Sequence, residues 1–328
     1  MTGDAPSGQH LWLRRAARAT ADYASLLLVL LLLVLFFSRQ TNAFWSYPTL
    51  TNVANQIPPL TLLAVGMTFV LIVAGIDLSV SSVLGLGSAM LGVTMVYWGL
   101  PLWLAVPVCL AAGCACGAIN GTIAVIWVIP SFIVTLGMMQ IARGAAQTLT
   151  DSGKEFIGAD VLVISAPLPW VGISPAFLIA IAAVLLGELV LHRTVFGRHA
   201  IAIGGNEQAA RLSGIRTGRI KIAIFAISGT LAALAGVISA SKNATADPGA
   251  GGGDELYAIA AAVIGGTSLM GGRGSVFCSF LGVLIIAVLH NGLAAMGYEQ
   301  PYKLVIIGSV IVVAAIIDAY RRRLARTG

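Results

Sequence analysis

Charge is scarce in this 328-residue chain: Asp, Glu, Lys and Arg together make up 10% of it, against about a quarter in an ordinary soluble domain. That composition cannot cover a water-facing globule, and with 58% hydrophobic residues and a mean hydropathy of +0.94 it describes a polytopic membrane protein. An enzyme would need a nucleophile with its base, paired carboxylates or a metal cluster. His10, His192, His199 and His290 are scattered and lack acidic partners at ligand spacing, so neither catalytic nor metal-binding residues are expected. No GxxxxGK[ST] phosphate loop occurs, so a nucleotide that drives this protein must bind another chain. Cys109, Cys114, Cys116 and Cys278 lie in apolar stretches without CxxC spacing and read as small core residues. The net charge of +6 comes with no basic face interleaved with aromatics, which excludes a nucleic-acid partner.

What the chain does contain is long apolar runs. About 20 apolar residues cross a hydrocarbon core, and dividing the runs at polar breaks predicts ten spans, near 20–37, 57–75, 79–98, 102–127, 131–150, 173–192, 220–241, 255–270, 275–296 and 301–320. The third and eighth are rich in Gly, Ser or Ala and are candidates for broken or re-entrant elements. The run Leu26 to Phe37 follows Arg14, Arg15 and Arg18 like a signal sequence, but no small-residue cleavage site follows, so it reads as a retained first span. An even number of spans puts both termini on one side. There, 14 of the 19 Lys and Arg residues collect: Arg14, Arg15, Arg18, Arg193, Arg198, Arg211, Arg216, Arg219, Lys221, Arg273, Arg321, Arg322, Arg323 and Arg326. Positive charge marks the cytoplasmic side, which makes both termini cytoplasmic.

The chain also repeats itself. Asn120-Gly121, Pro130 and Gly137 return as Asn291-Gly292, Pro301 and Gly308, each 171 residues later. Asp77-Leu78 leading to Gly85, Gly87 and Ser88 is matched, with gaps, by Glu255-Leu256 leading to Gly265, Gly266 and Ser268. Five spans separate the copies, so 57–150 and 220–320 are expected to be inverted repeats within one all-α permease domain, with a solute path at their interface.

Between them lies FGRHAIAIGGNEQAARLSGIRTGR, residues 196–219, where charge, amides and glycine crowd together. Asn206 suits a helix N-cap, Glu207 its positive first turn, Ala209, Ala210 and Arg211 its body, and Gly214 its end. A helix of about two turns is marginal alone, so Ala209, Ala210, Leu212 and Ile215 are expected to dock on another surface. Asp77, in GIDLSVSS, suits a cap for the third span. The glycines of GGTSLMGGRG suit either a tight cytoplasmic turn or a gate. Gln140, Arg143 and Gln147 share one face of the fifth span, fitting either a hydrogen-bonded network or a solute-lining surface.

The segments GIDLSVSSVLG, INGTIAV with PSFIVTLGMMQIARG, FGRHAIAIGGNEQAARLSGI, and ELYAIAAAVIGGTSLMGGRGSV with HNGL resemble the permease subunits of bacterial ABC sugar importers, the group of ribose, galactose, arabinose and xylose permeases. The resemblance covers about residues 57–310. It implies a multi-pass protein of the bacterial inner membrane, bathed in lipid, that pairs with a second permease subunit, a periplasmic or extracellular sugar-binding protein and a cytoplasmic ATP-binding subunit carrying the ATP and Mg. This chain itself holds no cofactor. The loop 193–219 then supplies the coupling helix, with Asn206, Glu207, Ala209, Ala210, Arg211, Leu212, Gly214 and Ile215 at the ATPase contact. It departs from the EAA loop of other importer classes, having Glu207-Gln208-Ala209-Ala210. Ser81 and Cys278 stand where this family commonly has glycine, which puts close packing there in question. Asn120, Gln140, Arg143, Gln147 and Asn291 are the expected pathway residues, because amides offer a neutral sugar both donors and an acceptor. An ion-coupled secondary transporter, using Asp77, Glu188 or Asp318, and ABC import of another neutral solute such as a nucleoside are the alternatives.

Overall fold

The computed structural model describes residues 8–41, 44 and 46–327, most of them helical. The side chains of Arg14, Arg15, Arg18, Arg321, Arg322, Arg323 and Arg326 lie outside the described set. Helix α1 (Gly8–Gln40) precedes α2 (Tyr47–Gln56) and α3 (Pro58–Ile72), which meet at a 45° bend. Ser46 caps α2 by accepting from the Thr49 N–H, while Pro58 and Pro59 have no N–H to continue it and instead open α3. Helix α4 (Val80–Gly92) runs on through a π-helical turn, Val93–Tyr97, and α5 (Leu102–Ile126) and α6 (Ser131–Leu149) each start after a proline, Pro101 and Pro130. A two-residue strand, β1 (Glu155–Phe156), lies in the long connection to α7 (Pro175–Arg193). Then come α8 (Val195–Gly205), the short α9 (Glu207–Leu212), α10 (Thr217–Asn243), β2 (Thr245–Ala246), α11 (Asp254–Ile264), α12 (Val276–Ala295) and α13 (Gln300–Thr327). β1 and β2 pair antiparallel, Glu155 opposite Ala246, which ties the connection to the end of α10.

At the centre α10 packs along α5, α3 and α4. In lipid no hydrophobic force drives one apolar helix onto another, so close backbone approach has to supply the attraction. Gly113, Gly117 and Gly121, one turn apart on α5, provide it: a Cβ on Gly117 would sit 2.0 Å from the Phe225 carbonyl oxygen, and one on Gly113 would sit 2.3 Å from that of Gly229. The same device joins α4 to α10, where a Cβ on Gly236 would meet the Leu84 oxygen at 2.1 Å, and α12 to α11, where one on Gly282 would meet the Ala261 oxygen at 2.1 Å. Around these contacts Leu62, Leu63, Met67 and Leu71 of α3 are fully buried with Leu84 and Ile238. At position 278, where glycine was the family expectation, the cysteine side chain is buried and close approach falls instead to Gly265, whose Cβ would meet the Cys278 backbone at 2.5 Å. Helix α1 is peripheral and seats Phe37 directly on Gly292 of α12.

Among the described residues, six helices are long and apolar enough to cross a membrane, or seven if the bent pair α2–α3 counts as one span. They are Tyr23–Gln40, Val80–Tyr97, Leu102–Ile126, Pro175–Arg193, Thr217–Asn243 and Val276–Ala295. A helix lies at each of the ten expected positions, but α6, α11 and α13 are not among the six. The expected span 255–270 needs correction. Helix α11 has 11 residues, about 16 Å of rise, and stops at Ile264 because Gly265 and then Gly266, at φ +81°, turn the backbone away. The third expected span is one continuous element, α4 with its π-helical extension.

Candidate functional site

The segment 196–219, a handle between α7 and α10, is built by one residue serving two helices. The Asn206 N–H closes α8 on the Ala202 carbonyl at 3.0 Å, and its side-chain oxygen accepts from the Ala209 N–H at 2.9 Å to start α9. Gly214, at φ +85°, ends the turn, with its N–H on the Arg211 carbonyl and that of Ile215 on the Ala210 carbonyl. Of the four apolar side chains expected to dock outward, Ala210 is buried and Ile215 packs on the chain's own core, so α9 spends half its apolar face internally. Ala209 and Leu212, the latter 83% exposed, remain free. Glu207 pairs with Lys221, fastening α9 to the start of α10.

The handle's other support is main chain. A Cβ on Gly204 would sit 1.7 Å from the Ile72 carbonyl oxygen and 2.4 Å from the Gly272 nitrogen. That same carbonyl accepts the Gly272 N–H at 2.9 Å, and Gly271 and Gly272 both have positive φ. The glycines of GGTSLMGGRG therefore form a tight turn whose tip touches both α8 and the end of α3. Thr267 and Ser268 are buried within it and Arg273 is exposed. Nearby, Glu188 of α7 accepts from the Val276 N–H at 2.8 Å and the Phe277 N–H at 3.1 Å, placing a carboxylate on the N-terminus of α12, while His192 pairs with it at 3.2 Å, so this histidine, contrary to expectation, does have an acidic partner one helical turn away.

Deeper in the bundle Asp77 is 1% exposed. One carboxylate oxygen accepts from Ser79 N at 3.0 Å and Ser79 Oγ at 2.6 Å, and the other from Ser228 Oγ at 3.0 Å. Asp77 was expected to cap α4, but the N-cap position is Ser79, without a side-chain cap, and Asp77 closes onto Ser79 from two residues before it; Ser228, on α10, extends these contacts into a link between halves of the chain. Asn120 is wholly enclosed and donates from Nδ2 to Ser79 Oγ at 3.0 Å, while its Oδ1 has no hydrogen-bond partner. No Lys, Arg or His pairs with Asp77 among the described residues.

The expected pathway residues are not gathered in one place. Gln140 and Gln147 are exposed on α6, whereas Arg143 turns inward, donating from Nε to Ser82 Oγ at 3.2 Å. Asn291 donates to the Ala287 carbonyl at 2.9 Å and reaches Gln56 at 3.4 Å, close to Lys242, which donates to the Gln56 carbonyl. Asn291 therefore lies at the end of α10 opposite the handle, and Asn120 near the handle end, where α5 finishes beside Glu207 and Arg211. Ser79, Ser228 and the Gly204–Ile72–Gly272 junction are additions that the sequence does not announce, and Glu188, expected only as an ion-site carboxylate, sits instead on the N-terminus of α12. Only the paired glycines at 204–205 and 271–272 signalled any of it.

Residues 49–315 match the family described as the branched-chain amino acid transport system / permease component. The chain belongs to this family. As a permease of this family it is a multi-pass protein of the inner membrane. It is 39% identical over 305 residues to a ribose import permease of Haemophilus influenzae, covering 89% of this chain and 92% of the relative. The ribose import permease of Bacillus subtilis is 40% identical over 299 residues, covering 88% and 90%. A fructose import permease of Rhizobium meliloti is 33% identical over 309 residues, covering 92% and 86%. No solved structure matches the permease chain.

Proposed function

We propose that this permease is the transmembrane subunit of an ATP-binding-cassette importer, carrying a monosaccharide inward with energy from a separate ATPase chain. The observation that carries the proposal is the likeness, over 89–92% of the chain, to permeases named for ribose, fructose and xylose. The ATPase subunit would hold ATP and Mg, and a periplasmic or extracellular binding protein would deliver the sugar. The exposed part of α9, with Leu212 and Arg211 outward, supports its assignment to the ATPase contact.

Ten crossings with both termini cytoplasmic remain the topology we infer, the short α11 completing the eighth together with the turn through Gly272 that reaches the handle. The helix order supports the inverted repeat, since α3 to α6 and α10 to α13 run in parallel sequence and Asn120 and Asn291 lie toward opposite ends of the bundle. We assign the path to the face of α6 that carries Gln140 and Gln147, opposite a second permease subunit, because their amides are exposed at membrane depth, where a polar group requires a partner or water. The enclosed Asn120 then acts as a packing residue behind that face.

The test is uptake into proteoliposomes holding the chain with its ATPase and binding protein, offering ribose, xylose, fructose and a nucleoside separately. ATP-dependent uptake of one sugar is expected. Uptake of the nucleoside alone would keep the ATP-driven mechanism and replace the substrate. One observation favours a second reading: Asp77 is a buried carboxylate with no basic partner among the described residues, as a proton or sodium carrier would need. Uptake by the chain alone that follows an ion gradient and ignores ATP would establish that reading.

A further inference from the structure

Where α5 ends against the handle there is a groove of about 900 Å³. Arg211, Arg216, Arg219 and Lys221 line its polar side, and the single carboxylate among them, Glu207, is already paired with Lys221. The three arginines have no carboxylate partner among the described residues. Guanidinium groups present a planar fork of donors suited to phosphate oxygens. The opposite wall is aliphatic, formed by Ala124, Val125 and Val128, and Val128 is 85% exposed. Beside it Ile126 and Trp127 are 61% and 63% exposed, and tryptophan favours the boundary between headgroups and hydrocarbon.

A cationic floor joined to an apolar wall at that boundary suits a ligand that is anionic at one end and apolar at the other. We propose that this groove seats an anionic phospholipid, its phosphate on Arg216 and Arg219 and its acyl chains along Val125 and Val128. An acidic segment of the ATPase would complement the arginines but would leave the aliphatic wall uncovered, and a free phosphate would leave it bare to water. The lipid fills both sides and would brace the base of the handle where α9 meets α10. This inference needs the membrane location of the chain and not the ATP-coupled mechanism, so either can fail without the other.

The test places the full-length chain in phosphatidylcholine nanodiscs doped with spin-labelled phosphatidylglycerol or, separately, spin-labelled phosphatidylcholine, and reads the immobilised fraction. Wild-type protein is expected to immobilise the anionic label preferentially. The double substitution Arg216→Gln with Arg219→Gln is expected to reduce that preference by at least about fivefold, and Arg193→Gln, an exposed arginine outside the groove, to leave it unchanged. A photoactivatable phosphatidylglycerol is expected to label wild-type peptides spanning 124–128 and 216–221, which keeps the test open if the double variant folds poorly. Equal loss with Arg193→Gln, or labelling elsewhere only, overturns the site. Release of the labelled lipid by inorganic phosphate would reassign the groove to a free anion. A double variant that keeps its lipid preference but no longer co-purifies with an ATPase subunit would reassign it to that protein.

Discussion

Gly204 lies against Ile72 so closely that a Cβ on the glycine would stand 1.7 Å from the Ile72 carbonyl oxygen. Neither partner is a side chain that could rotate away, so Gly204→Ala must lift α8 off the end of α3. Overpacking of this kind costs about 1–3 kcal/mol. The variant is expected to insert in the membrane, lose thermal stability and lose solute uptake. Normal uptake with an unchanged melting temperature would mean that the handle need not be seated there.

Removing the shared cap is a milder perturbation. Asn206→Ala deprives the Ala209 N–H of its partner, a loss of about 1 kcal/mol, confined to an exposed two-turn segment. Global stability is expected to change little while ATP-driven uptake falls, and Asn206→Ser, which can still accept that hydrogen bond, is expected to recover most of it. Equal transport by the Ala and Ser variants would show that α9 does not need its cap.

Asp77 separates architecture from ion coupling. Asp77→Leu leaves Ser79 N and Ser228 Oγ without their acceptor, about 1–3 kcal/mol for each buried group, and unfolding on mild heating is expected. Asp77→Asn keeps an acceptor oxygen and adds donors that Ser228 Oγ can receive. It is expected to be the more stable of the two and to retain ATP-driven uptake. Loss of all uptake in a well-folded Asp77→Asn protein would instead point to a carried ion.

Topology has a direct check. Ser213, in the handle, and Ser152, in the connection after α6, are both exposed. Single cysteines placed there are expected to react with a membrane-impermeant reagent from opposite sides, Ser213→Cys from the cytoplasm. Labelling of both from one side would end the ten-span arrangement.

What could be read from the chain was the local chemistry. Asn206 as a cap and Gly214 with positive φ depend on neighbours within a few residues, and the structure has both. Hydropathy overextended α11 because its Ala- and Ile-rich run passes without a polar break into Gly265 and Gly266, where backbone conformation sets the end. The environment of Asp77 could not be read, since Ser228 is 151 residues away in the chain. Asn120 stood out as an amide in an apolar run. Its hydroxyl partner Ser79 lies 41 residues earlier at the head of another helix, and sequence spacing does not reveal such a meeting.

The three glycines of α5 have a mechanical consequence. At Gly113 and Gly117 the two helices rest backbone on backbone, too close for a long side chain to lie between them, so α5 and α10 would move as one spar. α10 is 27 residues long, about 40 Å, and it begins beside the handle and ends with Lys242 on the Gln56 carbonyl. If α9 meets an ATPase as proposed, a push on it would be carried along this spar toward the Gln56 end of α10.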